Sequence, residues 1–162
     1  MRSLVVVLAV TLGACGDDGY DPKGCLPEGT ADVAGMVKNE GLGPFVRAQI
    51  TPTRATKGPQ YAIVLDEVAG ECGDVGQTGK HLVLLFCEMP LNLPYTIASQ
   101  QTFGCPTNDI LAILEAGGGE DLAVATSGTV ELMHAGTCMD GMYELDFGID
   151  RLSGNFDAAV CE

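Results

Sequence analysis

The chain has 162 residues, with 22 acidic against 8 basic side chains and a formal net charge of −14. That balance argues against nucleic-acid binding, which needs a basic footprint, and against charge-driven docking on anionic lipid. Trp is absent and aromatic residues are few, which counts against the stacking surfaces of sugar-binding modules.

Arg2 gives a positive start, and Leu4 to Leu12 is apolar apart from Thr11. This run is shorter than the about 20 residues that span a bilayer. It has the length and flanks of a cleavable signal core. Small residues then lead into a cysteine, as Leu12, Gly13, Ala14 and Cys15. The pattern resembles the signal peptide and lipobox of bacterial lipoproteins. That resemblance implies export, diacylglycerol on the Cys15 thiol, cleavage after Ala14 and acylation of the new amino terminus. Residues 1–14 are then a signal peptide, 15–30 a lipidated polar tether and 31–162 a single β domain. The implied partner is the membrane, reached through acyl chains on Cys15. One chain binds a membrane only marginally, whereas several hold it firmly. Gly16 stands where Asp would imply inner-membrane retention, so the resemblance points to the outer membrane.

Seven cysteines are present. Assigning Cys15 to lipid leaves an even set: Cys25, Cys72, Cys87, Cys105, Cys138 and Cys161. In an exported chain these read as a disulfide framework. Their spacings contain no Cys-x-x-Cys, which counts against zinc or thioredoxin chemistry.

From Asp32 onward the chain reads as short strands divided by turn residues. Candidates are Val33–Lys38, Phe45–Thr51, Tyr61–Val68, His81–Cys87 and Leu93–Ser99, then Ala123–His134, Met139–Phe147 and Leu152–Val160. In Phe45–Thr51, Arg47 and Gln49 share one face, with Ala48 and Ile50 on the other. Tyr61–Val68 and His81–Cys87 are rich in Val, Leu and Ile, as central strands are. Asn108–Ala116 is ambiguous: Ile110 to Leu114 has helical spacing, and Gly117 would stop a one-turn helix. In this strand-rich chain a strand is favoured. Short strands with regular turn signals predict an all-β fold, an antiparallel sandwich or alternatively a barrel.

A Gly-centred pattern recurs in Ser127-Gly128-Thr129-Val130-Glu131, Asp140-Gly141-Met142-Tyr143-Glu144 and Ser153-Gly154-Asn155-Phe156-Asp157. Val33–Lys38 is a looser copy. Gly inside a strand marks a bulge or a close approach of another group. Three copies predict three successive antiparallel strands, each bent at one level of the sheet. The run from Ser127 to Cys161 also resembles the end of uncharacterised β-rich, cysteine-containing envelope lipoproteins of bacteria, which implies a fold class and no activity.

The last two strands suggest a register. With Gly148–Arg151 as the hairpin loop, Phe147 faces Leu152, Tyr143 faces Phe156 and Met139 faces Val160. No like charges then stand directly opposite one another. Cys138 falls opposite Cys161, within or near disulfide range, so a bond between them is expected. The competing arrangement turns Cys138 away at Ala135–Thr137, toward Cys105 or Cys25.

No Gly-x-Ser-x-Gly elbow occurs, so the usual esterase serine is missing. His81 opens an apolar strand and His134 ends one; neither belongs to a His-Glu-x-x-His metal motif. Asp140, Glu144 and Asp146 share a strand face, Asp150 sits in the following turn and Asp157 lies on the next strand. These acids are weak calcium candidates, because flat sheet faces rarely converge ligands. No catalytic residue, cofactor or metal is therefore expected. The chain reads as a lipid-anchored envelope protein with a non-enzymatic interaction or structural role and an unidentified protein partner. The alternatives are a small-ligand or calcium-binding lipoprotein, and an enzyme with an unrecognised site.

Overall fold

The computed structural model describes residues 29–38, 40–53, 57–71, 78–133 and 138–161. Cys15, Cys25, Cys72 and His134 lie outside the described residues. The elements are all strands: β1 (Thr30–Ala31), β2 (Ala34–Val37), β3 (Glu40–Gly41), β4 (Arg47–Pro52), β5 (Tyr61–Asp66) and β6 (Lys80–Phe86). They continue with β7 (Pro94–Thr96), β8 (Leu111–Ala116), β9 (Glu120–Val124), β10 (Ser127–Leu132), β11 (Cys138–Phe147) and β12 (Asp150–Val160). The all-β expectation is met, and its barrel version is the nearer one. A single sheet, in the order β7-β10-β11-β12-β4-β5-β6-β8-β9, curls around one core.

β12 is the seam. One edge pairs with β11 along its length, and the other takes β2, β1 and β4 in turn. The β12–β4 pairing is parallel, while the other ladders are antiparallel. Just past β7, Ile97 makes an isolated parallel bridge to Ile110, immediately before β8, and so joins the β7 edge to the other side of the curl. There the Ala98 N–H donates to Ile110 O at 2.8 Å and the Ile110 N–H to Thr96 O at 2.9 Å. Closing a curled sheet this way removes exposed edge groups that would otherwise template further pairing. A second tie crosses the curl, where the Lys38 ammonium donates to the Leu122 carbonyl.

Residues 111–116 form a strand because they are central. β8 lies between β6 and β9, with Ala112 and Leu114 in the main core and Leu111 and Ile113 buried on the opposite face. Burial on both faces turns alternation into a continuous apolar run. The single strand expected over Ala123–His134 divides at Ala125–Thr126. Ala125 N–H donates to Ala112 O, and Thr126 N–H to Asp146 O. One apolar stretch thus serves two neighbours. Gly29 is buried and Thr30 pairs with Asp157.

The β11–β12 register differs from expectation by two residues. Gly148 and Ile149 alone make the turn, so Phe147 faces Asp150, Tyr143 faces Gly154 and Gly141 faces Phe156. Gly148 has φ +76°, which suits the first central position of a two-residue hairpin loop. Each ring now lies opposite a glycine, where the expected register set Tyr143 against Phe156. A Cβ on Gly154 would approach the Tyr143 hydroxyl oxygen to 2.7 Å. The two rings stack diagonally, with centroids 6.5 Å apart. The repeated glycines therefore do mark close approaches, but they stand at three different levels of the sheet. A motif read in one chain direction runs up one antiparallel strand and down the next.

The same shift places Cys138 opposite Ala159. Cys138 and Cys161 are each disulfide-bonded, and the Cys161 sulfur lies 3.2 Å from Gln49 Oε1. Cys87 and Cys105 are bonded to each other, with Cα atoms 5.4 Å apart.

Candidate functional site

Four strand ends place charge in one cross-strand line. Arg47 pairs with Asp66, Asp66 with His81, and His81 with Glu115. β4 and β6 begin at this end of the sheet and β5 and β8 finish there, so a polar residue bounding each apolar run falls at the same level. Arg47, Asp66 and His81 are 2%, 1% and 0% exposed, on the face turned away from the main core. Arg47 Nε donates to Asp66 Oδ2 at 3.0 Å, and its Nη2 reaches the same oxygen. Nη1 donates to the Glu71 carbonyl at 2.9 Å. His81 Nε2 lies 3.0 Å from Glu115 Oε2. His81 Nδ1 is 3.9 Å from Asp66 Oδ1, beyond hydrogen-bond length, and has no hydrogen-bond partner.

Charges this deep persist only when paired, because an unpaired buried ion loses its hydration without return. Glu67 reinforces the corner by accepting the N–H groups of Gly43 and Lys80 at 2.8 and 3.0 Å. Beyond the charged line the same face carries the buried Gln49 and a smaller apolar cluster of Ala62, Val64 and Val83. Of the line, the sequence singles out only His81 as a candidate site residue, with Arg47 placed on a strand face. Arg47, Asp66 and Glu115 were legible as the polar residues bounding apolar strands, once those strands are laid antiparallel.

Two clefts open elsewhere. One, of about 500 Å³, lies between the Asp32–Ala34 segment and β10–β12, with Thr129, Glu131, Glu144 and Ser153 in its lining. The other, of about 340 Å³, lies at the far end of β6, beside the Cys87–Cys105 bond. Neither is lined by a member of the charged line.

The acidic hairpin does not converge. Asp140 stands opposite Asp157, so like charges face each other, contrary to the expected register. Burial, then the Asp140 charge, holds the Asp157 carboxyl above its ordinary value; its Oδ1 is buried without a hydrogen-bond partner. Asp146 is held below its ordinary value, first by the hydrogen bond from Arg151 and then by that from Ser127. Arg151 Nε donates to Asp146 Oδ1 at 2.8 Å. Asp140 and Asp146 are six residues apart on one strand, roughly 20 Å at the usual rise, and cannot share an ion. Among the described residues no three His, Cys, Asp or Glu side chains are placed to hold a metal. Tyr143, a buried neighbour, donates its hydroxyl to the Asp32 carbonyl at 2.7 Å, and burial raises its phenol above the usual range.

No protein-family model matches the chain, and neither the curated proteins nor the solved structures contain a match to it.

Proposed function

We propose that this chain is a lipid-anchored envelope protein, held at the outer membrane by acyl chains on Cys15, whose β domain has a non-enzymatic interaction or structural role. The observation that carries this reading is cysteine usage. Cys87, Cys105, Cys138 and Cys161 are all disulfide-bonded, a condition that belongs to oxidising, extracytoplasmic compartments. Cys15 is the cysteine that follows Leu12-Gly13-Ala14, where a lipobox modifies its thiol. The non-enzymatic part is supported by the charged line: Arg47, Asp66, His81 and the half-buried Glu115 are spent on one another, and none of the four lines either cleft.

Mass spectrometry of the protein extracted from the envelope tests the anchor. The expected mature terminus is an acylated Cys15, and Cys15→Ser releases the protein from the membrane fraction. An unmodified Cys15 in a chain that begins elsewhere would overturn the reading.

A further inference from the structure

The outer face of the sheet is open on one side of the molecule and covered on the other. Over β10–β12, Glu131, Met142 and Asn155 stand opposite one another in a row, and all three are exposed. A second row runs Cys138, Ala159, Gln49, Val64, Val83 and Ile113, each opposite the next. Every member of it is between 1% and 8% exposed. The strands all belong to one sheet, so no second sheet packs on this row from outside. Val64 and Val83, with Ala62, form a cluster apart from the main core. Apolar side chains on an outer face leave water only where more chain lies over them.

Gly29 points to the segment that covers it. A Cβ there would collide with the Ala48 and Asp157 carbonyl oxygens, so Gly29 is wedged between β4 and β12. Beyond it Ala159 pairs directly with Gln49, and the two strands close. The chain before Gly29 therefore has no room in the plane of the sheet. The core side is filled by Ala48, Ile50 and Ala158. The way left is the outer side, over Gln49. We propose that residues 24–28 leave the fork there and lie across β4, β5, β6 and β8 as a strap, with Leu26 over Val64 and Val83. The crossing takes three strand spacings, about 14 Å, and five extended residues span about 16 Å. Leu26 precedes Pro27, which favours an extended backbone at Leu26. Docking of the strap leaves Gly16–Lys23 as the free link to the anchor, at most about 28 Å long. That consequence rests on lipid at Cys15, whereas the docking does not.

Methyl-labelled full chain, with its disulfides intact and in detergent that carries it with or without acyl chains, provides the test. Nuclear Overhauser contacts are expected between the Leu26 methyls and those of Val64 and Val83. A soluble gadolinium chelate is expected to relax the exposed Met142 methyl and to spare Val64, Val83 and Ile113. Leu26→Asp is expected to bring the relaxation of Val64 and Val83 toward that of Met142, with Leu84 in the main core unchanged. Asp17→Asn, outside the strap, is expected to change neither. The contacts are read on the parent chain, so they decide the matter even where the Leu26 variant does not fold. No contact from Leu26, contacts to the row from residues 72–77 or from a second copy, or protection that survives Leu26→Asp would each overturn the proposal. The mass of the amino-terminal fragment from the same sample reads the anchor separately.

Discussion

Asp66 is the residue on which the buried charges depend. It accepts two donors of a guanidinium that is 2% exposed and stands beside a fully buried imidazole. Asp66→Ala removes the carboxylate that accepts two of the Arg47 donors and is expected to cost about 3–5 kcal/mol. Replacing both partners by apolar residues, Arg47→Met with Asp66→Leu, is expected to cost less than the single change. Urea midpoints at constant slope measure both, and equal losses would deny the coupling. Asp157 carries the opposite sign. Its carboxyl is raised in the folded state, so the folded chain binds more protons there, and stability falls as pH climbs above the ordinary value of 3.8. Asp157→Asn removes the repulsion with Asp140 and gives the unsatisfied position a donor. It is expected to raise stability at pH 7 by up to about 1 kcal/mol, the scale of a like-charge cross-strand pair. That gain disappears below pH 3.8, and thermal melts at the two pH values decide the matter.

The β11–β12 hairpin shows how an element settles its register. Charge avoidance favours a different pairing, but like charges on one row cost only about 0.2–1 kcal/mol. Overfilling a packed interior costs typically about 1–3 kcal/mol. Setting Tyr143 against Gly154 and Phe156 against Gly141 lets the rings fit, and the Asp140–Asp157 repulsion is tolerated in exchange. Gly141→Ala would push a methyl into the Phe156 ring and toward the Glu131 carbonyl, 3.0 Å from the added carbon. The expected loss is about 1–3 kcal/mol. Gly104→Ala, with open space around it and no positive φ, is expected to be neutral or slightly stabilising. A smaller loss at Gly141 than at Gly104, read from denaturant midpoints, would contradict this packing account. The strands themselves were legible: alternation in Met139–Phe147 assigned Tyr143 and Leu145 to one face and Glu144 and Asp146 to the other, and that is where they lie. The two-residue register was not legible, because the Gly148-Ile149 turn and the glycine–ring fit are properties of two strands together.

Across the whole molecule, one sheet closes on itself at Ile97–Ile110 and is pinned near that point by Cys87–Cys105. The bonded cysteines are 18 residues apart. For a loop of that length, constraint of the unfolded chain is worth roughly 3 kcal/mol. Replacing both by serine is expected to lower stability by about that amount, less whatever the native loop gains by relaxing. Calorimetry of the variant against the parent chain measures it, and an unchanged melting temperature would show that the bond does not support the closed sheet.

The sequence by itself determined the class of structure. Period-two patterning, β-branched and leucine-rich runs and regular turn residues are local, and the backbone converts them directly into strands. The acidic balance and the six cysteines after Cys15 were equally plain. Tertiary structure decided which edges met. Arg47 and Glu115 lie 68 positions apart, yet become neighbours but two on one line, because three antiparallel ladders return every strand end to the same level. It also decided that the face carrying Arg47 and Gln49, polar by pattern, is buried. A pattern records what a side chain prefers, whereas burial depends on what the rest of the chain lays against it.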